Sequence, residues 1–188
     1  MAYYPDLKKY LATVSVESPN GFYKNVVPYL VDVWIDDYCR STKNTDIIQT
    51  STVEFTVECF YLFDVATGRL IAAWGISQGR NSQARDKTRM AGHPLCAGGL
   101  HHRGHAIPHS AHGGTDINLV DQLGKINVGP FRPLERKYVA TPGSLYFTYW
   151  TYVGAKLARD GRPGQIPTGV DQGLLAPGQP PNIVRHGN

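Results

Sequence analysis

The sequence predicts an α+β fold built on an antiparallel sheet, and three stretches carry that expectation. In residues 53–61, Val53, Phe55, Val57, Cys59 and Tyr61 alternate with Glu54, Thr56, Glu58 and Phe60, the period-two pattern of a half-buried strand. Asp64, Val65, Ala66, Thr67 and Gly68 supply turn chemistry and residues 69–76 resume with Leu70, Ile71 and Trp74, so residues 53–76 read as a β-hairpin. Residues 144–153, an aromatic and β-branched run from Ser144 through Tyr146, Phe147, Tyr149 and Trp150 to Val153, are expected as a further strand. Helical periodicity appears in part of residues 116–138. The expected order is strands, a histidine-rich segment, a short helix, then another strand.

The remaining chain is less regular. Residues 11–78 read as strand-rich overall, but residues 28–38 mix apolar and acidic side chains in a way that fits helix and strand equally. From residue 79 to 114 the composition shifts to glycine, histidine and arginine, with six of the seven histidines between His93 and His112. Little apolar periodicity remains there, which argues for irregular backbone carrying a site. Residues 159–188 are rich in glycine and proline and are expected as an extended or wrapping tail. The chain therefore divides into one domain, residues 1–158, with a core at about residues 53–153, and the tail. Tyr146 to Tyr152 could stack nucleic-acid bases, but alternating aromatic strands usually form core, which is the expectation here.

With 188 residues, 41% hydrophobic and 18% charged, the chain can bury a full core. It has no apolar run of about 18 residues, so no membrane partner is expected. Residues 1–10, with Asp6, Lys8 and Lys9, lack the apolar stretch of a secretory signal. Synthesis in the cytoplasm is expected, with any export by a signal-peptide-independent route. The net charge of +4 and a pI of about 9.0 favour an anionic partner such as nucleic acid. Cys39, Cys59 and Cys96 are far apart and form no Cys-x-x-Cys pair, so free, mostly buried thiols are expected rather than disulfides or a four-cysteine zinc site.

The most informative segment runs His102, Arg103, Gly104, His105, then Gly113, Gly114, then Asn118, Leu119 and Gln122, then Asn127, Gly129, Phe131, Leu134 and Glu135. It resembles the DNA/RNA non-specific endonuclease family, whose pattern is Asp-Arg-Gly-His, a Gly-Gly turn, Asn-Leu-x-x-Gln and Asn-x-Gly-x-Trp-x-x-Leu-Glu. Asn118 and Asn127 stand nine positions apart and Asn127 and Glu135 eight, as that pattern requires. The similarity covers roughly residues 100–138. It implies a ββα-metal (His-Me finger) catalytic core, in which His105 is the general base, Asn127 the metal-ligating asparagine and Glu135 the acid that acts through a water of the metal. Arg103 and Asn118 match accessory catalytic positions. The implied cofactor is Mg²⁺ or Mn²⁺, and the implied partner is a DNA or RNA substrate.

Those residue types suit the chemistry independently. A neutral imidazole, with a reference pKa of about 6.5, can take a proton from an attacking water at neutral pH. A hard cation such as Mg²⁺ prefers oxygen donors and takes few protein ligands, which fits an asparagine carbonyl. Arg103, with Arg80, Arg85 or Arg89, could grip phosphate bidentately.

The chain departs from the family pattern at His102, which stands where the family carries aspartate. Pro130 and Pro133 interrupt the family's continuous helix, so the helix is expected to begin near Gly129 with Pro130 in its first turn. Asp121 replaces a residue that is usually uncharged. Read singly, His105 could be a solvated loop histidine, Asn127 a turn or cap, and Glu135 a surface ion-pair residue.

The small format also suits a bacterial toxin effector, which would have a cognate inhibitor or immunity protein. The competing reading is a catalytically inactive nucleic-acid-binding or zinc-binding module on the same scaffold, in which His93, Cys96, His101, His109 and His112 supply ligands. Their spacing lacks the paired repeats of a zinc site.

Overall fold

Residues 28–38, whose pattern fits helix and strand equally, are helical. In helix α2, Val27–Ser41, the side chains of Val27, Leu30, Trp34 and Tyr38 are buried, a spacing of three to four residues that puts them on one face. Asp32, Asp36 and Arg40 fall between them. A short helix α1, Leu7–Leu11, precedes it, and a π-helical stretch, Phe22–Val26, leads directly into it. Residues 20–41 are thus helical within a stretch expected as strand-rich overall, because β-branched Val27, Val31, Val33 and Ile35 mimic strand composition while tertiary packing selects the 3.6 period. The computed structural model describes residues 2–15, 17–18, 20–43, 45–54, 56–84, 100–157, 161 and 164–188.

The strands, in chain order, are β1 Ile47–Glu54, β2 Val57–Asp64, β3 Arg69–Ile76, β4 His101–His105, β5 Leu119–Leu123, β6 Leu145–Thr151, β7 Gly169–Leu175 and β8 Asn182–Gly187. Six of them form an antiparallel sheet in the order β1-β2-β3-β6-β7-β8, and helix α2 packs on it. A separate two-stranded ladder pairs β4 with β5. Helices α3, Gly124–Asn127, and α4, Arg132–Val139, come after β5. Among the described residues, no helix is long and apolar enough to cross a membrane.

Every residue of the aromatic strand β6 is buried, because its two faces pack on different layers. Phe147 and Tyr149 meet Trp34 of α2 at ring separations of 5.2 and 6.2 Å. Tyr146 and Trp150 meet Tyr138 and Phe131 of the α4 layer at 4.7 and 6.1 Å. These rings are core, as the alternation suggested.

The β2–β3 hairpin lies where expected, but its first strand is shorter than the alternation implied. Residues 53–61 are not one strand: β1 ends at Glu54, which pairs with Val57, the first residue of β2. Thr56 adopts φ 74° there, a left-handed conformation that a β-branched residue takes only under tertiary constraint. No glycine or asparagine marks the turn, and the alternation continues through it.

A larger correction concerns the C-terminal segment. Residues 169–187 contribute strands β7 and β8 of the main sheet rather than a wrapping tail, so the boundary expected at residue 158 cuts through a single sheet. All of β7 is buried, but its interior is satisfied by polar groups. Gln172 Nε2 donates to the Phe131 carbonyl and the Tyr146 hydroxyl, both at 2.9 Å. Asp171 accepts from Tyr4 Oη at 3.1 Å and pairs with Arg185 Nε at 3.3 Å.

Asp64 joins three elements. Its Oδ2 accepts from Tyr38 Oη of α2 and Thr67 Oγ1 of the β2–β3 turn, both at 2.8 Å. Its Oδ1 accepts from the Asp46 N–H at 3.0 Å and the Ala66 N–H at 3.1 Å. Burial pushes the carboxyl upward, but these donors outweigh it and hold the pKa below the usual value of 3.8. A depressed carboxylate contributes stability above its unfolded pKa and loses it as pH falls through the folded one. Asp64→Asn should therefore destabilise by about 2–3 kcal/mol at neutral pH, and the gap from wild type should narrow in urea melts as the pH is lowered below about 4.

Candidate functional site

The second layer carries the motif. On β4, Arg103 and His105 are two residues apart and so share a face of the strand. Gly104 between them lets the buried Gln122 side chain pack against the backbone, since a Cβ at residue 104 would collide with it. The glycine of Arg-Gly-His is thus a packing requirement of the ladder in which Arg103 pairs with Asp121 and His105 with Leu119.

Just after His105 the chain is clipped in place by Asn118. This residue is fully buried, its Oδ1 accepts from the Ile107 N–H at 2.8 Å, and its Nδ2 donates to the carbonyls of Ile107 and Gly114 at 2.8 and 2.9 Å. Its carbonyl accepts from the Ala106 N–H at 2.8 Å. The first glycine of the Gly-Gly turn serves the same closure, because a Cβ at Gly113 would strike the Ile107 carbonyl.

Asn127 ends α3, and the chain then turns before α4. The Phe131 N–H bonds back to the Ile126 carbonyl at 3.2 Å and the Arg132 N–H to Gly129 at 3.2 Å. The helix begins at Arg132 with Pro133 in its first turn, not near Gly129 with Pro130 inside. Proline has no donor to lose in a first turn, which is why Pro133 is tolerated. Buried Phe131, Leu134 and Tyr138 fix α4 on the sheet, leaving Arg132 and Arg136 exposed and Glu135 half-buried.

These placements converge. A cavity of about 120 Å³ is lined by Arg103, His105, Asn127 and Glu135, together with Pro108, His109, Ser110 and Arg132. Four of the five motif residues therefore face one small polar space. The fifth, Asn118, is not among its lining residues; its side-chain amide is bonded to the loop that follows His105. The His109 ring stands edge-on to His105 at 6.1 Å. His105 is 8% exposed, so its ring is shielded from bulk water at the cavity wall.

His102 lies beside Asn127. Its Nδ1 is 3.3 Å from Asn127 Nδ2, and its ring packs so closely on Gly124 that a Cβ there would come within 2.8 Å of its Nε2. With Nδ2 turned toward His102, the Asn127 amide has its oxygen left as an acceptor. Asp121 lies in β5 opposite Arg103, is buried and does not line the cavity.

An asparagine oxygen and a glutamate in one polar cavity form a sparse oxygen-donor set, which suits a hard divalent cation that keeps most of its waters. Among the described residues, no group of three or more His, Cys, Asp and Glu side chains could hold a metal. His93 and Cys96 of the zinc reading, and Arg85 and Arg89 of the phosphate reading, lie outside the described residues. Cys39 is exposed and Cys59 buried, both as free thiols. Burial, with the Glu54 and Glu58 carboxylates nearby, pushes the Cys59 thiol up to about 12, which excludes a thiolate role at neutral pH.

Sequence reasoning did not single out His109, Ser110 or Arg132 as cavity walls. Arg132 was within reach, since it stands three residues before Glu135 and so on the same side of a helix. His109 and Ser110 depend on how the loop folds back after Pro108, which the sequence does not encode locally.

Because Asn118 satisfies two backbone groups of the buried Ile107, Asn118→Ala should cost about 2–4 kcal/mol, read as a lower urea midpoint. Losing stability and activity together would separate its supporting role from that of a residue facing substrate. No protein-family model, no curated protein and no solved structure matches the chain.

Proposed function

We propose that this protein is a metal-dependent endonuclease that hydrolyses phosphodiester bonds of DNA, RNA or both, with β4, β5 and α4 forming a ββα-metal core. The observation that carries this reading is the single cavity lined by Arg103, His105, Asn127 and Glu135. The motif spacing from His105 to Glu135, and the similarity it bears to the DNA/RNA non-specific endonucleases, support it.

In this reading the scissile phosphate enters the cavity beside Arg103, whose guanidinium can donate two parallel bonds to phosphate oxygens. His105 accepts the proton of the attacking water as the oxygen–phosphorus bond forms. Its limited exposure restricts competing solvent. Asn127 would hold Mg²⁺ or Mn²⁺ through its amide oxygen, with Glu135 acting through a water, and the cation would supply Lewis-acid stabilisation of charge on the phosphate and leaving oxygen. His102 fixes the orientation of the Asn127 amide, and Asn118 fixes the loop behind His105.

Digestion of plasmid and of a folded RNA, with and without EDTA, tests the reading. Cleavage that requires Mg²⁺ or Mn²⁺ and disappears in EDTA is expected. Salt-sensitive DNA binding with no cleavage under either metal would favour the inactive binding module instead. An effector role predicts growth arrest on cytoplasmic expression, relieved by His105→Ala.

A further inference from the structure

Beside the cavity lies a larger groove of about 530 Å³, lined by Arg80, Ser110, Arg132, Glu135, Arg136 and Val139. Ser110, Arg132 and Glu135 line both spaces, so the two adjoin across these side chains. The groove's volume lies within the roughly 300–1,000 Å³ that accommodates small-molecule-sized groups. Three arginines and one glutamate line it, and Glu135 is shared with the cavity. Arg132 and Arg136 are exposed and one helical turn apart on α4, about 5–6 Å between Cβ atoms, a separation comparable to that of neighbouring phosphates along a strand.

Arg80 reaches the groove from the chain after β3, and that chain is tied to the site. The Asn81 N–H donates to the Ser110 carbonyl at 2.8 Å, and Asn81 Nδ2 donates to the His109 carbonyl at 3.1 Å. The Asn81 side chain also accepts from the Gln83 N–H at 2.9 Å. The backbone that carries Arg80 is therefore held against the same turn that walls the catalytic cavity. Among the described residues, no side-chain hydrogen bond or ion pair engages Arg80, Arg132 or Arg136. Scattered surface arginines ordinarily meet only water; here three of them border one concavity beside the candidate catalytic groups.

We propose that this groove is a flanking-phosphate subsite, which seats the sugar-phosphate backbone of a polynucleotide on one side of the scissile phosphate. The inference rests on the nuclease reading for its place in catalysis, but the ligand class, a chain of phosphodiesters, follows from the groove itself. Guanidinium contacts to phosphate carry no base information, so the subsite selects for chain length and charge rather than for sequence. Small diesters reach the cavity without using it.

The test uses the double variant Arg80→Ala with Arg136→Ala, because neither residue lines the catalytic cavity. Binding of a fluorescein-labelled oligonucleotide is measured in EDTA across a salt series, so no cleavage is needed. The expected result is a loss of about 1.4–1.8 in the slope of log affinity against log salt, from about 0.7 per contact on single strands to 0.9 on duplex. Lys8→Ala with Lys9→Ala on α1, which removes the same charge elsewhere, should change the slope by less than half as much. In the second arm, with Mg²⁺, the groove variant should lose at least tenfold more in kcat/KM on the oligonucleotide than on bis(p-nitrophenyl) phosphate, and equal losses on the two substrates overturn the subsite. An unchanged slope, or an equal loss in the α1 variant, overturns the subsite. If wild type cleaves nothing but the slope falls as expected, the subsite stands and the nuclease reading fails.

Discussion

His105→Ala should lower metal-dependent phosphodiester cleavage by about 10²–10⁴-fold, the range supplied by a positioned general base. The loss should fall mainly on kcat, because the imidazole acts on the attacking water as the bond forms and contributes little to substrate holding. Arg103 and the groove arginines remain, so oligonucleotide affinity in EDTA should stay within about threefold of wild type. The ring fills space at a wall that is 8% exposed, so its removal leaves room for a small base. Added imidazole should therefore restore part of the activity of His105→Ala and none of that of Asn127→Ala. Cleavage by His105→Ala at the wild-type rate would remove this residue from its assigned role.

The second large effect belongs to Asn127. Asn127→Ala deletes the oxygen donor assigned to the cation and should reduce cleavage by at least about 10²-fold at low Mg²⁺, with partial recovery as Mg²⁺ is raised. Its side chain is half-buried at the end of α3 and its described hydrogen-bond partner is His102, so the thermal midpoint should move little. Asn127→Asp keeps an oxygen at the same place and adds charge, so it should shift the Mg²⁺ activation midpoint downward. This opposite movement of two variants at one position distinguishes a ligand from a cap. A turn or cap role predicts comparable stability changes and no change in metal dependence.

The parts of this structure that could be read in the sequence are those where local pattern and tertiary environment agree. Strand β6 is aromatic and β-branched throughout and becomes the central, doubly covered strand. The β2–β3 hairpin is announced by turn residues from Asp64 to Gly68, and Gly68 takes the positive φ of 67° that the turn requires. The motif spacing carried the further information that Arg103, His105, Asn127 and Glu135 come from neighbouring pieces of chain, and they line one cavity.

The illegible parts have particular causes. Strand β7 hides its burial behind polar and small residues: Gln172 bonds to Phe131 and Tyr146, Asp171 accepts from Tyr4 and pairs with Arg185, and Gly173 leaves room for the ring of Phe147. Composition alone therefore makes it resemble a linker. The reversal between β1 and β2 is hidden because Thr56 adopts a positive φ without the usual glycine or asparagine. The structural place of Asn118 is not legible because motif membership does not say whether a side chain faces substrate or backbone, and its two amide atoms bond to Ile107 and Gly114. Arg80 could be named from sequence as a phosphate-binding candidate, but its place in the groove follows from the Asn81 contacts, which lie outside the motif.

The nuclease reading requires that one imidazole and one amide oxygen serve the same phosphate. A crystal structure with Mn²⁺ and an oligonucleotide carrying a non-cleavable phosphate linkage measures this directly through the anomalous signal of the metal. One peak is expected about 2.1–2.2 Å from Asn127 Oδ1, with the phosphate between it and His105 and the neighbouring backbone lying toward Arg132 and Arg136. A manganese ion bound away from Asn127, or a strand whose phosphates never approach the His105 ring, would contradict it.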